Sequence, residues 1–207
     1  MCIRDRVIAE GETSNHVDDY FDMELAFVNT SRDDSLEYTV FDAPLLNDGN
    51  SITYEDLGIQ IDIISHMENV RIESRISPAE KIYKGFLKEF VLLPLRPEKE
   101  ATQNRPGIII KLSGLSSEKD GIYGIFLGQK TPDTFQINGN LYFTEFRRKR
   151  TYLPFSISLL DFEKIMHPGT NVAKSYSSEV NLIENSIPRR ILIQMNEPLR
   201  HQNYTFY

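Results

Sequence analysis

From Leu153 to Leu159 every second residue is apolar: Leu153, Phe155, Ile157 and Leu159 alternate with Pro154, Ser156 and Ser158. Side chains along a strand point alternately to its two faces, so this pattern specifies a strand with one buried face. Other runs repeat the theme. Met23, Leu25 and Phe27 alternate, and so do Leu36, Tyr38 and Val40; with Asn29 to Asp34 as a polar connection they predict a hairpin. Ile59, Ile61 and Ile63 alternate with Gln60 and Asp62, and two further strands are predicted around Tyr176 to Ile183 and through Ile191, Ile193 and Met195. Turn residues separate the runs. Asn47-Asp48-Gly49-Asn50 and His167-Pro168-Gly169-Thr170 combine residues that tolerate positive φ with a proline that presets it.

Apolar runs at Gly107 to Leu112 and Gly121 to Gly128, and an irregular alternation from Gln136 to Arg150, extend the rhythm. Strand signals every ~10–15 residues, with no βαβ alternation, predict a mainly β chain. The expected architecture is an antiparallel β-sandwich or open barrel with one short helix. Residues 77–92 suit that helix. Ser77 is placed to N-cap it, Pro78 falls at N1 and Glu80 at N3, and Ile82, Phe86 and Phe90 would share a face. The polar stretch 96–106, bounded by prolines, reads as an exposed loop and marks a weak internal boundary. Residues 7–16 read as a short strand followed by a Gly-Glu-Thr turn.

Composition narrows the function. With 40% hydrophobic and 26% charged residues, the chain can bury a substantial core. A net charge of −7 argues against nucleic acid as a partner. No apolar run approaches the ~20 residues that span a bilayer, and the first residues lack the apolar core of a signal peptide. Residues 1–6, MCIRDR, read as a leader foreign to the fold and hold the single cysteine, Cys2. Without it the chain offers no thiol chemistry, no cysteine zinc site and no thioether attachment point of its own.

Motifs for catalysis are missing: no Gly-rich phosphate loop, no GxSxG elbow, no HExxH. Asp18-Asp19 and Asp33-Asp34 read as solvated loops, and Asn47 to Asn50 lacks the closing Glu of a calcium loop. His16, His66, His167 and His201 are too scattered to define a metal site. The cations Arg147-Arg148-Lys149-Arg150 read as charges on a strand edge that discourage edge pairing. The sharper alternative is contact with the carboxylates of a ligand or with anionic lipid.

The last third also carries four spaced motifs: LPFSISLLDF, HPGT, SYSSEV, and IQMNEPLR followed by YTFY. In this order they resemble the extracytoplasmic domain of ResB-like cytochrome c biogenesis proteins. The resemblance covers about 135–207 and rests on Leu153, Pro154, Phe155, Pro168, Gly169, Asn196, Pro198, Leu199, Tyr204, Phe206 and Tyr207. Upstream, only GETSN at 11–15 and the strand rhythm look familiar. His167 departs from the tyrosine more often found before Pro-Gly and reads as a variant turn residue.

That resemblance implies one extracytoplasmic β domain over 7–207, truncated at both ends and lacking the family's transmembrane helices. It implies an assembly subunit with no catalytic residues. Haem belongs to the full complex and is delivered with a ResC/CcsA-type membrane partner to apocytochrome c, on the periplasmic face of a bacterial cytoplasmic membrane. No cofactor or metal ligand is assigned to the fragment itself, and His201 is the outside candidate for haem contact. Tyr204 and Phe206 are expected to pack inward, with Tyr207 facing the other side, near a bilayer interface. The competing reading is a secreted or surface β-sandwich that binds carbohydrate or protein.

Overall fold

The computed structural model describes residues 4–5, 7–30 and 36–207. Of the expected leader, only the backbone at Arg4–Asp5 falls within that range. Cys2 and the Asp33-Asp34 pair lie outside the described residues, as does most of the connection expected between Asn29 and Asp34.

Among the described residues fifteen strands follow one another. They are β1 (Arg4–Asp5), β2 (Thr13–Asn29), β3 (Glu37–Asp42), β4 (Ser51–Tyr54), β5 (Ile59–Met67), β6 (Val70–Ser74), β7 (Phe90–Pro94) and β8 (Gly107–Ser113). Then come β9 (Gly121–Phe126), β10 (Thr134–Ile137), β11 (Asn140–Met166), β12 (Ala173–Glu184), β13 (Ile187–Gln194), β14 (Leu199–His201) and β15 (Tyr204–Phe206). The chain is mainly β and its sheets are antiparallel, as the alternation requires, and no barrel closes. No helix among the described residues is long and apolar enough to cross a membrane.

Two compact units emerge. One comprises Asp19–Lys149 among the described residues; the other joins Arg4–Asp18 to Arg150–Tyr207. The strands β2 and β11 are each divided between them, and the 96–106 loop falls inside the first unit.

In the first unit, β4-β5-β8-β9 form one sheet, while β3 pairs with the later half of β2 and β10 with the early part of β11. Met23, Leu25, Phe27 and Phe41 meet Ile59, Ile61, Ile63, Ile108, Ile110, Leu112 and Phe135 in one core. Burying a side chain of this size contributes about 1.5–3 kcal/mol, so the cluster dominates the unit's stability. The β2–β3 hairpin forms as expected, with Leu25 opposite Phe41. On β3, however, Phe41 is the residue that faces the core, and Leu36, Tyr38 and Val40 lie on the exposed face.

The α-helix expected over 77–92 does not form. Residues 85–88 make a single 3-10 turn, and Phe90–Pro94 continue as β7, paired with β6. Gly85 stands in the left-handed region at φ 50°, and its α-carbon lies so close to the Asp133 carboxylate that a side chain would collide with it. Phe86 and Phe90 do share a contact, as helical spacing predicted, but as stacked rings 4.7 Å apart across the turn. Asp18-Asp19 is a second correction. Both residues lie within β2, and Asp19 is buried, its carboxylate accepting the Phe21 N–H at 3.0 Å.

In the second unit, β11 pairs with β12 and β12 with β13, and β14–β15 form a separate hairpin. Leu153, Phe155, Ile157 and Leu159 are all buried, together with Val180, Leu182 and Ile193. The register slips between Leu159 and Asp161, so Leu160 bulges and Phe162, rather than Asp161, continues the apolar face. The turn at 167–170 forms as read, with Gly169 at φ 73° and the Thr170 N–H donating to the His167 carbonyl at 3.1 Å.

Candidate functional site

Phe155 is the point where the Leu-Pro-Phe strand meets the terminal hairpin. Its ring takes edge-on contacts from His201 at 4.7 Å, Phe206 at 6.0 Å and Tyr204 at 6.1 Å. The terminal hairpin is thereby folded back over the sheet that Leu153 and Phe155 belong to. Aromatic pairs in this edge-to-face geometry are worth about 0.5–1.5 kcal/mol each beyond the area they bury. Leu199 packs against the same cluster.

Beside that contact the second unit forms an open cavity of about 700 Å³. Sheet residues Leu153, Ile157, Leu159, Val180 and Ile193 form its floor, and Tyr204 to Tyr207 form part of its wall. Val7 to Glu10, Ser14 and His16 close another side. A volume in this range suits a small-molecule ligand, and the lining is chiefly apolar with few polar groups. Those polar groups are engaged within the unit. Ser14 Oγ donates to the His16 carbonyl at 3.1 Å, Glu10 accepts the Phe162 N–H at 3.0 Å, and His16 Nε2 stands 3.9 Å from Asp18.

The family-motif residues do two jobs. Leu153, Phe155, Leu199, Tyr204 and Phe206 build the core, whereas Pro168, Gly169 and Asn196 lie on exposed turns and Pro154 is exposed within β11. Asn196 sits at φ 72°, a conformation asparagine tolerates better than most residues. Tyr207, just past the end of β15, is 92% exposed.

His201 is not an exposed turn residue. It sits half-buried in β14, its Nε2 3.1 Å from Glu184 Oε1 but out of hydrogen-bond alignment, while Gln202 donates to the same oxygen at 2.6 Å. His167 is exposed in its turn. His66 belongs to the first unit, edge-on to Phe146 at 5.6 Å, and burial pulls its pKa below the ordinary value. Among the described residues no group of three His, Cys, Asp or Glu side chains is placed to hold a metal.

The cation run lies on β11 between its two ladders: pairing with β10 covers Asn140 to Phe143 and pairing with β12 begins at Ser156. Arg147 is buried and donates to Glu24 at 2.7 Å and Glu145 at 3.0 Å. Burial alone would lower its pKa, but the Glu24 hydrogen bond and the Glu145 charge outweigh that and hold it above the ordinary value. Arg148 lies over the Tyr20 ring at 3.8 Å and donates to the Tyr20 carbonyl, and Lys149 pairs with Asp42 at 3.2 Å. These three charges serve the first unit's own structure.

A second buried polar centre in that unit escaped the motif search. Asp133 accepts the Phe86 N–H, and burial raises its pKa; Tyr123, donating to the Lys119 carbonyl at 2.6 Å, is pushed up to about 12 by burial and by Asp133 and Asp120. Nothing local in the sequence marks Asp133, because its burial comes from chain nearly fifty residues upstream.

Three of the four motifs therefore contribute to one small core and one cavity, and HPGT forms an exposed turn apart from them. A family model, described as the ResB-like family, matches residues 123–207. That stretch is similar to the ResB-like family. The matched region runs from within β9 to β15 and so includes every strand of the second unit that follows Arg150. At the level of the family it points to cytochrome c biogenesis. A comparison with curated proteins returns no match for the chain.

Proposed function

We propose that this chain is part of a non-catalytic assembly subunit of cytochrome c biogenesis. It works on the periplasmic face of a bacterial cytoplasmic membrane, held there by helices elsewhere in the full-length protein. With a ResC/CcsA-type membrane partner it delivers haem, which is cargo here, to apocytochrome c. Thioether bonds form on the apocytochrome's own thiols, so the subunit's contribution is to hold reactants in register. The observation that carries this reading is the ResB-like match together with the packing of His201, Tyr204 and Phe206 on Phe155. A rigid, strand-built surface is what a positioning role requires.

The test acts on the turn that launches the terminal hairpin. In the full-length protein, Asn196→Ala with Pro198→Ala forces alanine into φ 72° and loosens the approach to β14. Covalent haem on a reporter cytochrome c is expected to fall severalfold at equal protein level. Undiminished holocytochrome yield would count against the assignment.

A further inference from the structure

The β11–β12 hairpin runs on past the rest of its sheet. Pairing of β13 with β12 ends at Gln194 opposite Ser177, and Gly11 and Glu12 make the backbone hydrogen bonds to Leu159 on the other side. From Glu163 to Ala173 the ladder joins β11 to β12 around the 167–170 turn. A two-stranded ribbon has little stability of its own in water. Every residue from 160 to 172 is nevertheless exposed. Five of these are large and apolar: Leu160, Phe162, Ile165, Met166 and Val172, with Val172 at the turn 64% exposed.

The side chains are zoned along the ribbon. At the tip stand Ile165, Met166 and Val172, around a turn with no charged side chain other than His167. One step back are Lys164 and Lys174, and with them Tyr176, whose ring lies 5.6 Å from Lys164 Nζ and 6.2 Å from the Phe162 ring. Carboxylates begin only behind that level, at Glu163 opposite Ser177 and Asp161 opposite Glu179. Between Glu163 and Glu179 this acidic chain has two lysines and no acid. Apolar side chains outermost, then aromatic rings with lysines that can extend toward phosphates, then carboxylates, is the order found across a membrane interface. The ribbon is a projecting tip, not a groove, and from Lys164 to Tyr176 its charge is opposite to that of anionic lipid.

We propose that the 160–176 ribbon inserts its tip into the headgroup layer of an anionic lipid bilayer, with Ile165, Met166 and Val172 as the inserted side chains. This does not rest on a role in haem attachment, and either can fail alone.

The chain has no tryptophan, so one introduced at the tip is a unique reporter. The 207-residue chain carrying Ile165→Trp is mixed with phosphatidylglycerol/phosphatidylcholine vesicles. Its emission is expected to shift to the blue and to be quenched by lipids brominated near the headgroup end of the acyl chain. Phe21→Trp, at an exposed site of the first unit, should stay unchanged. Adding Met166→Asp should abolish the shift, and K164Q with K174Q should weaken vesicle binding roughly tenfold or more. An unshifted Ile165→Trp spectrum on vesicles overturns the proposal. So does a shift without lipid that grows with protein concentration, since the tip would then be covered by a second copy.

Discussion

Arg147 and Glu24 place a full ion pair inside the first unit, each side chain about 5% exposed. Removing one partner strands the other, and such losses cost about 3–5 kcal/mol. Arg147→Met is therefore expected to cost that much in urea unfolding, and Arg147→Met with Glu24→Leu to recover most of it. Equal losses in the single and double variants would mean that the pair is not the stabilising unit. Asp133 behaves in the opposite sense. Burial raises its pKa above the ordinary 3.8, so ionisation costs stability at neutral pH, and that cost vanishes as pH falls through the raised value toward 3.8. Asp133→Asn keeps an oxygen for the Phe86 N–H. It should raise the melting temperature by a few degrees at pH 7 and by nothing near pH 4. A gain independent of pH would assign the effect to packing. None of this was legible residue by residue: an Arg in RRKR and an Asp in TPDTF look solvated until distant chain buries them.

At the scale of elements, the strict alternations translate directly. Ile59 to Ile63 and Leu153 to Leu159 became buried faces because every second residue had only one place to go. The 77–92 stretch failed because Ile82, Phe86 and Phe90 fit a helical face, yet Gly85 sits among them and the Phe90–Pro94 backbone found a partner in β6. A helix depends on local terms worth tenths of a kcal/mol per residue, and a ladder with side-chain burial outweighs them. Gly85→Ala is expected to cost about 2–4 kcal/mol, part from its positive φ and part from collision with Asp133. In urea melts, Asp133→Ala in the same chain should restore the collision part alone; no recovery would place the whole penalty in the backbone. Three tight hairpins went unread for a related reason. Asn138-Gly139 is a familiar signal that was overlooked, but Asn185-Ser186 and Gln202-Asn203 hold positive φ at all four residues with little in their sequence to announce it.

For the whole molecule, the order of motifs in the last third carried the family, and the family match extends that stretch upstream to Tyr123. The cavity could not be read the same way. Alternation says which side chains turn inward on each strand; it does not say that Tyr204 and Phe206 will fold back onto Phe155 and leave about 700 Å³ beside them. That outcome depends on contacts between residues some fifty positions apart, to which a local pattern is blind.

The sharing of β2 and β11 between the two units has a consequence in time. The Glu12 carbonyl receives its hydrogen bond from the Leu159 N–H, 159 − 12 = 147 residues later in the chain. At ribosomal rates that interval is roughly 7–30 s. Through it the first-made strand must wait beside the tunnel exit with its polar backbone and Val17 unmatched, a natural client for a holding chaperone. The order of translation thus makes the early half of β2 emerge long before the strand that shelters it.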